Sequence, residues 1–336
     1  MRTPTTPRPA SALASAKPVL RRQLRRADML MFFERLPPTI VALEACGASH
    51  NLARMLTSYG HEVKLIAPQL VKPYVKRGKN DAADAEAICE AMSRPTMRFV
   101  PIKTPQQQAA LMLIGVRERL IQMRTQVANS IRGYAAEFGL TAAKGICRVE
   151  QLLDRIALDR SVPALARTLF ATQGKIYRQL EEEIAETEAQ LAQWHRADER
   201  ARRLAGIPGV GPIGASFLTM KSPAPELFAS ARQFAAWIGL TPKDHSTGGK
   251  TRTGKITRAG DEALRSVLVA GATALLRHVR AGHSKHASPW LLDMLKRKPP
   301  KLVAVAVANK IARIAWKLMV SGERYHSRST NQPVTA

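Results

Sequence analysis

Carboxylates are scarce in this chain: 26 Asp plus Glu stand against 52 Lys plus Arg in 336 residues, a formal net charge of +26. That imbalance excludes an acidic or neutral surface. A field of this sign collects polyanions, and nucleic acid is the commonest of these in a cytoplasm. Anionic membrane is the rival, but the basic residues are spread through folded-looking segments and not gathered beside a lipid-facing helix. Long apolar runs are missing as well. The longest, Val267 to Leu276, has ten residues between Arg265 and Arg277, too few to cross a bilayer. The N-terminus has no apolar core of the kind a signal peptide needs. Cysteine is nearly absent: Cys46, Cys89 and Cys147 are far apart and form no metal-ligand pattern, as expected of reduced thiols in a cytoplasmic protein. What remains is 45% hydrophobic and 23% charged, an ordinary globular composition long enough for two or three domains.

Residues 1–17 are Pro, Thr, Ser and Ala with interspersed Arg, faintly like a transit peptide, and read as a disordered tail. Val19-Leu20 suggests a short strand, and Ala27 to Leu36 a helix closed by Pro37-Pro38. Thr39 to Glu44 is a compact apolar run ending in an acid and reads as a buried strand. His50 to Tyr59 predicts a helix stopped at Gly60, Glu62 to Ile66 a second strand, and Asp81 to Met92 a helix. Strand–helix–strand–helix order implies a parallel α/β sheet. Two long apolar stripes follow. Leu113 to Phe138, stepping by three or four, lies in a helix from Pro105 of about 50 Å, and Ile176 to Trp194 forms the second. Such stripes mean an antiparallel helical hairpin or a dimerising coiled coil. From Asp198 the pattern changes to short helices with Gly-rich and basic turns, then a strong last helix over Lys301 to Val320. The fold expectation is therefore α/β followed by α, with residues 18–103 as an α/β domain, 104–196 as a helical region, 197–324 as a helical C-terminal domain, and 325–336 as a second tail.

Four constellations carry possible chemistry. Glu44 stands at the carboxyl end of a strand, where open α/β sheets place their sites. Asp81 and Asp84 are three apart, hence on one helix face, and with Glu44 form an oxygen donor set suited to Mg²⁺. The plainer reading of Asp81, just after Asn80, is a helix cap or a partner for the helix dipole. Second, Leu204 to Ala215 looks like a helix-hairpin-helix turn, in which Gly209 and Gly211 let backbone N–H groups approach a phosphate. An ordinary helix–helix turn is the alternative. Third, Gly239 to Arg258 offers the hydroxyls of Ser246 and Thr247, two adjacent glycines, and the cations Lys250, Arg252, Lys255 and Arg258. A hydroxyl attacking a phosphodiester needs such cations around the developing charge; a flexible loop that only holds a backbone would have the same composition. Fourth, Lys310, Arg313 and Lys317 share one helical face, either for phosphate contact or for simple solvation.

Taken together, Val41-Ala-Leu-Glu-Ala-Cys-Gly47, Pro73-Tyr-Val-Lys76, Lys79-Asn-Asp-Ala-Ala-Asp-Ala85, Ile207-Pro-Gly-Val-Gly211 and Arg232-Gln-Phe-Ala-Ala-Trp-Ile-Gly-Leu-Thr-Pro242 resemble the DEDD transposases of the insertion-sequence-110 family. The likeness runs from about Val19 to about Arg324. It implies a ribonuclease-H-like (RuvC-like) domain with four Mg²⁺-binding acids, a coiled-coil insert and a C-terminal domain with a nucleophilic serine. It also implies DNA as substrate, a structured guide RNA and a homo-oligomer. Glu44, Asp81 and Asp84 match the second, third and fourth acids. The first, carried in the family by a run like Gly-Ile-Asp-Xaa-Ala-Lys, has no counterpart, since no acid precedes Asp28. The serine position, five residues after the proline of Gly-Leu-Xaa-Pro, is Thr247, with Ser246 just before it. A threonine adds a methyl group and restricts χ1. These departures lead to the expectation of an N-terminally incomplete transposase of impaired activity, with a non-catalytic nucleic-acid-binding relic as the alternative.

Overall fold

The computed structural model describes residues 20, 22–75, 80–283 and 287–326. The expected tail at 1–17, Val19 of the expected first strand, Lys76 and Lys79 of the family-like motifs, and residues 327–336 lie outside this description. The chain forms two compact units, the first ending at Gln106 and the second beginning at Gln107.

The first unit opens with α1 (Arg26–Glu34), then β1 (Ile40–Glu44), α2 (Ser49–Ser58) and β2 (Glu62–Ile66). The strands pair in parallel from Ile40↔Glu62 to Glu44↔Ile66, as the strand–helix–strand order requires, because a parallel neighbour needs a crossover. A one-turn helix α3 (Pro68–Val71), then α4 (Asp81–Met92) and β3 (Phe99–Val100) complete the unit. β3 joins antiparallel, with Leu65 opposite Val100, so the sheet is mixed; two residues are too short a run to announce themselves in sequence. β1 corrects one expectation. It has β2 on one side and no other strand among the described residues, so of its five residues only Val41 is buried and Ile40 stays 41% exposed. Below the sheet Ile66, Val71, Ala87 and Ala91 form a small core.

The second unit is built on α5 (Pro105–Glu137) and α7 (Ala164–Ala197), with the short α6 (Val149–Leu158) between them. Arg117 meets Glu188 at 2.9 Å and Arg124 meets Glu181 at 2.6 Å. As one index rises the other falls, so α5 and α7 run antiparallel within one chain. α6 seals the far end through Leu152 and Ile156, packed with Ile131, Phe170 and Tyr177. The remaining elements are α8 (Glu199–Leu204), α9 (Pro212–Lys221), α10 (Ala231–Ile238), β4 (Pro242–Asp244), β5 (Thr253–Ile256), α11 (Glu262–Arg280), α12 (Pro289–Arg297) and α13 (Pro300–Ser321). α11 lies against α13, and the core around them contains Phe217, Phe234, Leu268, Val307 and Ile311. Two expectations change here. The region beyond Asp198 is not made only of short helices, since α11 spans 19 residues. The basic segment after Gly239 is a β4–β5 hairpin, not a plain loop; its three- and four-residue strands are mostly exposed and carry no apolar alternation to read. No helix among the described residues is long and apolar enough to cross a membrane.

Candidate nucleic-acid site

The acids belong to the first unit. Glu44 ends β1 half-buried, and α4, which packs on β1, carries Asp81 and Asp84 in its first turn, the first exposed and the second half-buried. The cap of α4 is Asn80, whose side chain accepts the Ala83 N–H at 2.8 Å. Neither aspartate is used for capping, and both sit in the first turn of the helix. All three donors are oxygens, the kind a hard divalent cation takes. The structure brings their two elements together, but among the described residues no three His, Cys, Asp or Glu side chains stand close enough to hold a metal ion. Asp28 lies exposed in the first turn of α1.

The hydroxyls belong to the β4–β5 hairpin of the second unit. Ser246 is held from both sides: its hydroxyl donates to Asp244 and accepts the Arg252 N–H at 3.0 Å, while the Ser246 N–H donates to the same carboxylate at 2.9 Å. The Ser246 hydroxyl and then its N–H hold the Asp244 carboxyl below the usual carboxylate range, so it is ionised at neutral pH. Thr247 is exposed at the turn, where its carbonyl accepts the Lys250 N–H at 3.1 Å. Lys250, Arg252, Lys255 and Arg258 are all exposed. Among the described residues none of the four has a carboxylate partner.

The root of the hairpin is fixed by a residue that the sequence pattern hid. Arg265 sits on the buried stripe of α11 and donates to the Ile238 carbonyl at 3.0 Å and the Ala259 carbonyl at 2.9 Å. It thereby ties the end of α10 to the chain leaving β5 and satisfies a helix-terminal carbonyl. A cation inside an otherwise apolar stripe was the available signal. Asp244, two residues before Ser246, was also missed, although Asp-X-Ser is a common side-chain-to-backbone turn.

The Pro-Gly-Val-Gly turn joins α8 to α9. Gly209, at φ +83°, has a packing reason: a Cβ there would lie 3.1 Å from the Gly271 carbonyl oxygen, and one on Gly271 would lie 2.0 Å from that of Gly209. Gly211 has nothing within 4 Å of an added Cβ. On α13, Lys310 lies 4.4 Å from the centre of the Trp290 ring, a cation–π contact that gives it a structural role, whereas Arg313 and Lys317 are exposed.

A basic protein of two units, one presenting carboxylates at a strand end and the other a hydroxyl-bearing cationic hairpin, has the parts of a nucleic-acid strand-exchange protein. Comparison with known sequences defines the class. A DEDD transposase model matches residues 20–138, and a model described as "Transposase IS116/IS110/IS902 family" matches residues 201–287. The chain is 69% identical over 312 residues to the candidate transposase y4pF/y4sB of Sinorhizobium fredii, covering 93% of this chain and 81% of that one. It is 39% identical to the transposase for insertion sequence element IS1328 of Yersinia enterocolitica, with 90% of each covered. It is 38% identical to the transposase for insertion sequence element IS1111A of Coxiella burnetii, with 92% and 85% covered. The chain belongs to the IS110 family of insertion-sequence transposases.

Proposed function

We propose that the protein carries out DNA strand exchange for its insertion sequence, with Ser246 of the β4–β5 hairpin as the attacking hydroxyl. The observation that carries this reading is the Ser246–Asp244 pair. Asp244 already accepts the hydroxyl hydrogen, so a proton acceptor stands within the hydrogen-bond reach that general-base catalysis requires. As Oγ bonds to phosphorus, its proton passes to Asp244. The bond from phosphorus to the departing strand's oxygen breaks, and that oxygen takes a proton from solvent. Lys250, Arg252, Lys255 and Arg258 supply positive charge near the phosphoryl oxygens. Thr247, the positional match to the family serine, lacks a comparable partner and ranks second.

The first unit is read as ribonuclease-H-like, with Glu44, Asp81 and Asp84 as the residues that would hold Mg²⁺. When bound, that ion would supply charge neutralisation at a phosphodiester. The Gly209–Gly211 turn is read as helix-hairpin-helix, with Gly211 as its open approach to a phosphate, and Arg313 and Lys317 as further backbone contacts beside Lys310. The α5–α7 pair is read as a coiled coil. Exposed Met112, Val116 and Met123, one face of α5, suit a second copy, and the basic surface suits a structured guide RNA. A second reading, a relic that binds nucleic acid without catalysis, is favoured by one observation: among the described residues no three acids are gathered.

The test is a plasmid excision assay with the matching element ends and RNA. Ser246→Ala is expected to abolish excision, Asp244→Asn to slow it on the order of a hundredfold or more, and Thr247→Ala to leave it within a few-fold. Loss with Thr247→Ala and retention with Ser246→Ala would move the nucleophile one residue along. No excision by the unmodified chain, with duplex DNA still bound, supports the relic. In the same series, neutralising Lys250, Arg252 and Lys255 together should flatten the log K against log salt slope, by roughly 0.9 per lost phosphate contact.

A further inference from the structure

The first unit contains a second cationic arrangement, apart from the hairpin. α2 grips one residue, Lys103, by its backbone. His50 Nδ1 accepts the Lys103 N–H at 3.2 Å, and Arg54, one turn further along α2, donates to the Lys103 carbonyl at 2.6 Å. With both main-chain groups engaged, the Lys103 side chain has a fixed origin, and its Nζ lies 3.3 Å from His50 Nε2. Because Nδ1 is an acceptor, the imidazole proton is on Nε2. An ammonium at Lys103 therefore points donors at another donor. Loss of the ammonium proton would relieve this, since a neutral amine accepts the Nε2 proton, and the half-burial of Lys103, which holds its pKa below the usual lysine range, works in the same direction. Burial first, then the charges of Lys103 and Arg54, likewise hold His50 below the ordinary histidine range.

Other ionisable groups on the elements around α2 do not resolve the clash. Asp28 and Glu34 on α1 and Glu44 on β1 make no bond to His50 or Lys103 among the described residues. Lys64 pairs with Glu62 at 3.2 Å. His61 is occupied on both ring nitrogens, by the Thr39 N–H at 3.2 Å and the Phe33 carbonyl at 2.9 Å.

With Lys103 as an ammonium, two donors converge here without an acceptor, and an oxyanion is the group that would accept from both. We infer that His50 Nε2 and Lys103 Nζ form a binding site for a backbone phosphate of the DNA, and that DNA binding raises the share of Lys103 that carries its ammonium proton, drawing that proton from solvent. The inference rests on the DNA reading above and adds to it a named phosphate contact in the first unit, with a proton linkage. His50 stays neutral throughout, since protonating Nδ1 would break its bond to the Lys103 N–H. His50 and Arg54 are positioning residues for the loop as well as, in the case of His50, a direct donor.

Titration calorimetry of the full chain with a duplex DNA of arbitrary sequence tests this. It is run at pH 8.5, where ordinary histidines are neutral, in two buffers of different ionisation enthalpy. The wild-type protein should take up a fraction of a proton per site, growing as the pH is raised from there toward the ordinary lysine range. Lys103→Arg keeps the backbone grip and a permanent charge, so it should bind DNA and lose the uptake. Its affinity should also stop falling with pH, where the wild type loses up to about tenfold per unit. Lys103→Met should weaken binding and lose the uptake. Binding with equal proton uptake in wild type, Lys103→Arg and Lys103→Met overturns the site while leaving the DNA reading intact, and so does uptake with an RNA duplex of the same sequence but none with DNA. Failure of the wild type to bind duplex DNA at any pH overturns the DNA reading and the site with it.

Discussion

Under the sheet of the first unit the buried cluster is Ile66, Val71, Ala87 and Ala91, two of them alanines, whereas the second unit closes over Phe217, Phe234, Leu204, Ile207, Leu268 and many more. The contrast extends to chemistry. The first unit holds the candidate metal acids on a thin scaffold with an edge strand; the second holds the hydroxyl on a hairpin rooted by Arg265 in a deep core. A three-stranded sheet with four short helices can bury little apolar area, and stability follows buried area. A hairpin with exposed strands has no core of its own, so its geometry must be borrowed from the helices beneath it. Precision at Ser246 thus depends on packing far from Ser246, while precision at Glu44 depends on a pairing that β1 makes on one side only among the described residues.

All four tryptophans, Trp194, Trp237, Trp290 and Trp316, lie in the second unit, so their fluorescence follows that unit alone while circular dichroism follows both. The largest expected effect is from Phe217→Ala. Phe217 is fully buried, and its truncation should cost about 4 kcal/mol, read as a fall in the urea midpoint of the tryptophan signal. Ile66→Ala, equally buried but in the thin core, should cost about 2 kcal/mol, because fewer neighbours lose contact and the site can relax. Equal losses would erase the distinction between the cores. Gly271→Ala is next to Phe217→Ala in size. Its Cβ would stand 2.0 Å from the Gly209 carbonyl oxygen, so backbone must move, at about 3 kcal/mol. If the variant melts like wild type, the loop does not rest on α11 as described.

The smallest effect is a pH dependence. Nδ1 of His195 is buried without a hydrogen-bond partner among the described residues, and burial, the largest cause, holds this imidazole below its ordinary value of 6.5. The unfolded chain therefore binds that proton first as pH falls. The contribution is whole above pH 6.5 and is lost as pH falls from there toward the folded pKa. Urea midpoints of wild type and His195→Gln, followed by tryptophan emission, should converge on lowering pH from neutral to below 6. Parallel curves would show that His195 titrates alike in both states.

Helix and strand identity was largely legible, because amphipathic spacing and caps are local. The expected helix at Asp81 matches α4 in both its bounds, and Pro105 to Phe138 matches α5 to within a residue. The β4–β5 hairpin was not legible, since its strands are short and exposed on both faces and only their attachment to α10 and α11 keeps them paired. The roles within candidate motifs were divided in the same way. Residue type marked Ser246, Thr247, Gly209 and Lys310 as able to bond a phosphate, but it gave no measure of competing uses. The fold occupied Gly209 with Gly271 and Lys310 with Trp290, and it joined Ser246 to Asp244 and Arg252. Sequence by itself determined the charge, the family and most of the elements, because these follow from composition, ordered motifs and short-range periodicity. Tertiary structure alone decided that β1 has one strand partner among the described residues and that Lys103 meets His50 across 53 positions. Contacts at that separation depend on how elements dock, and no local pattern encodes them.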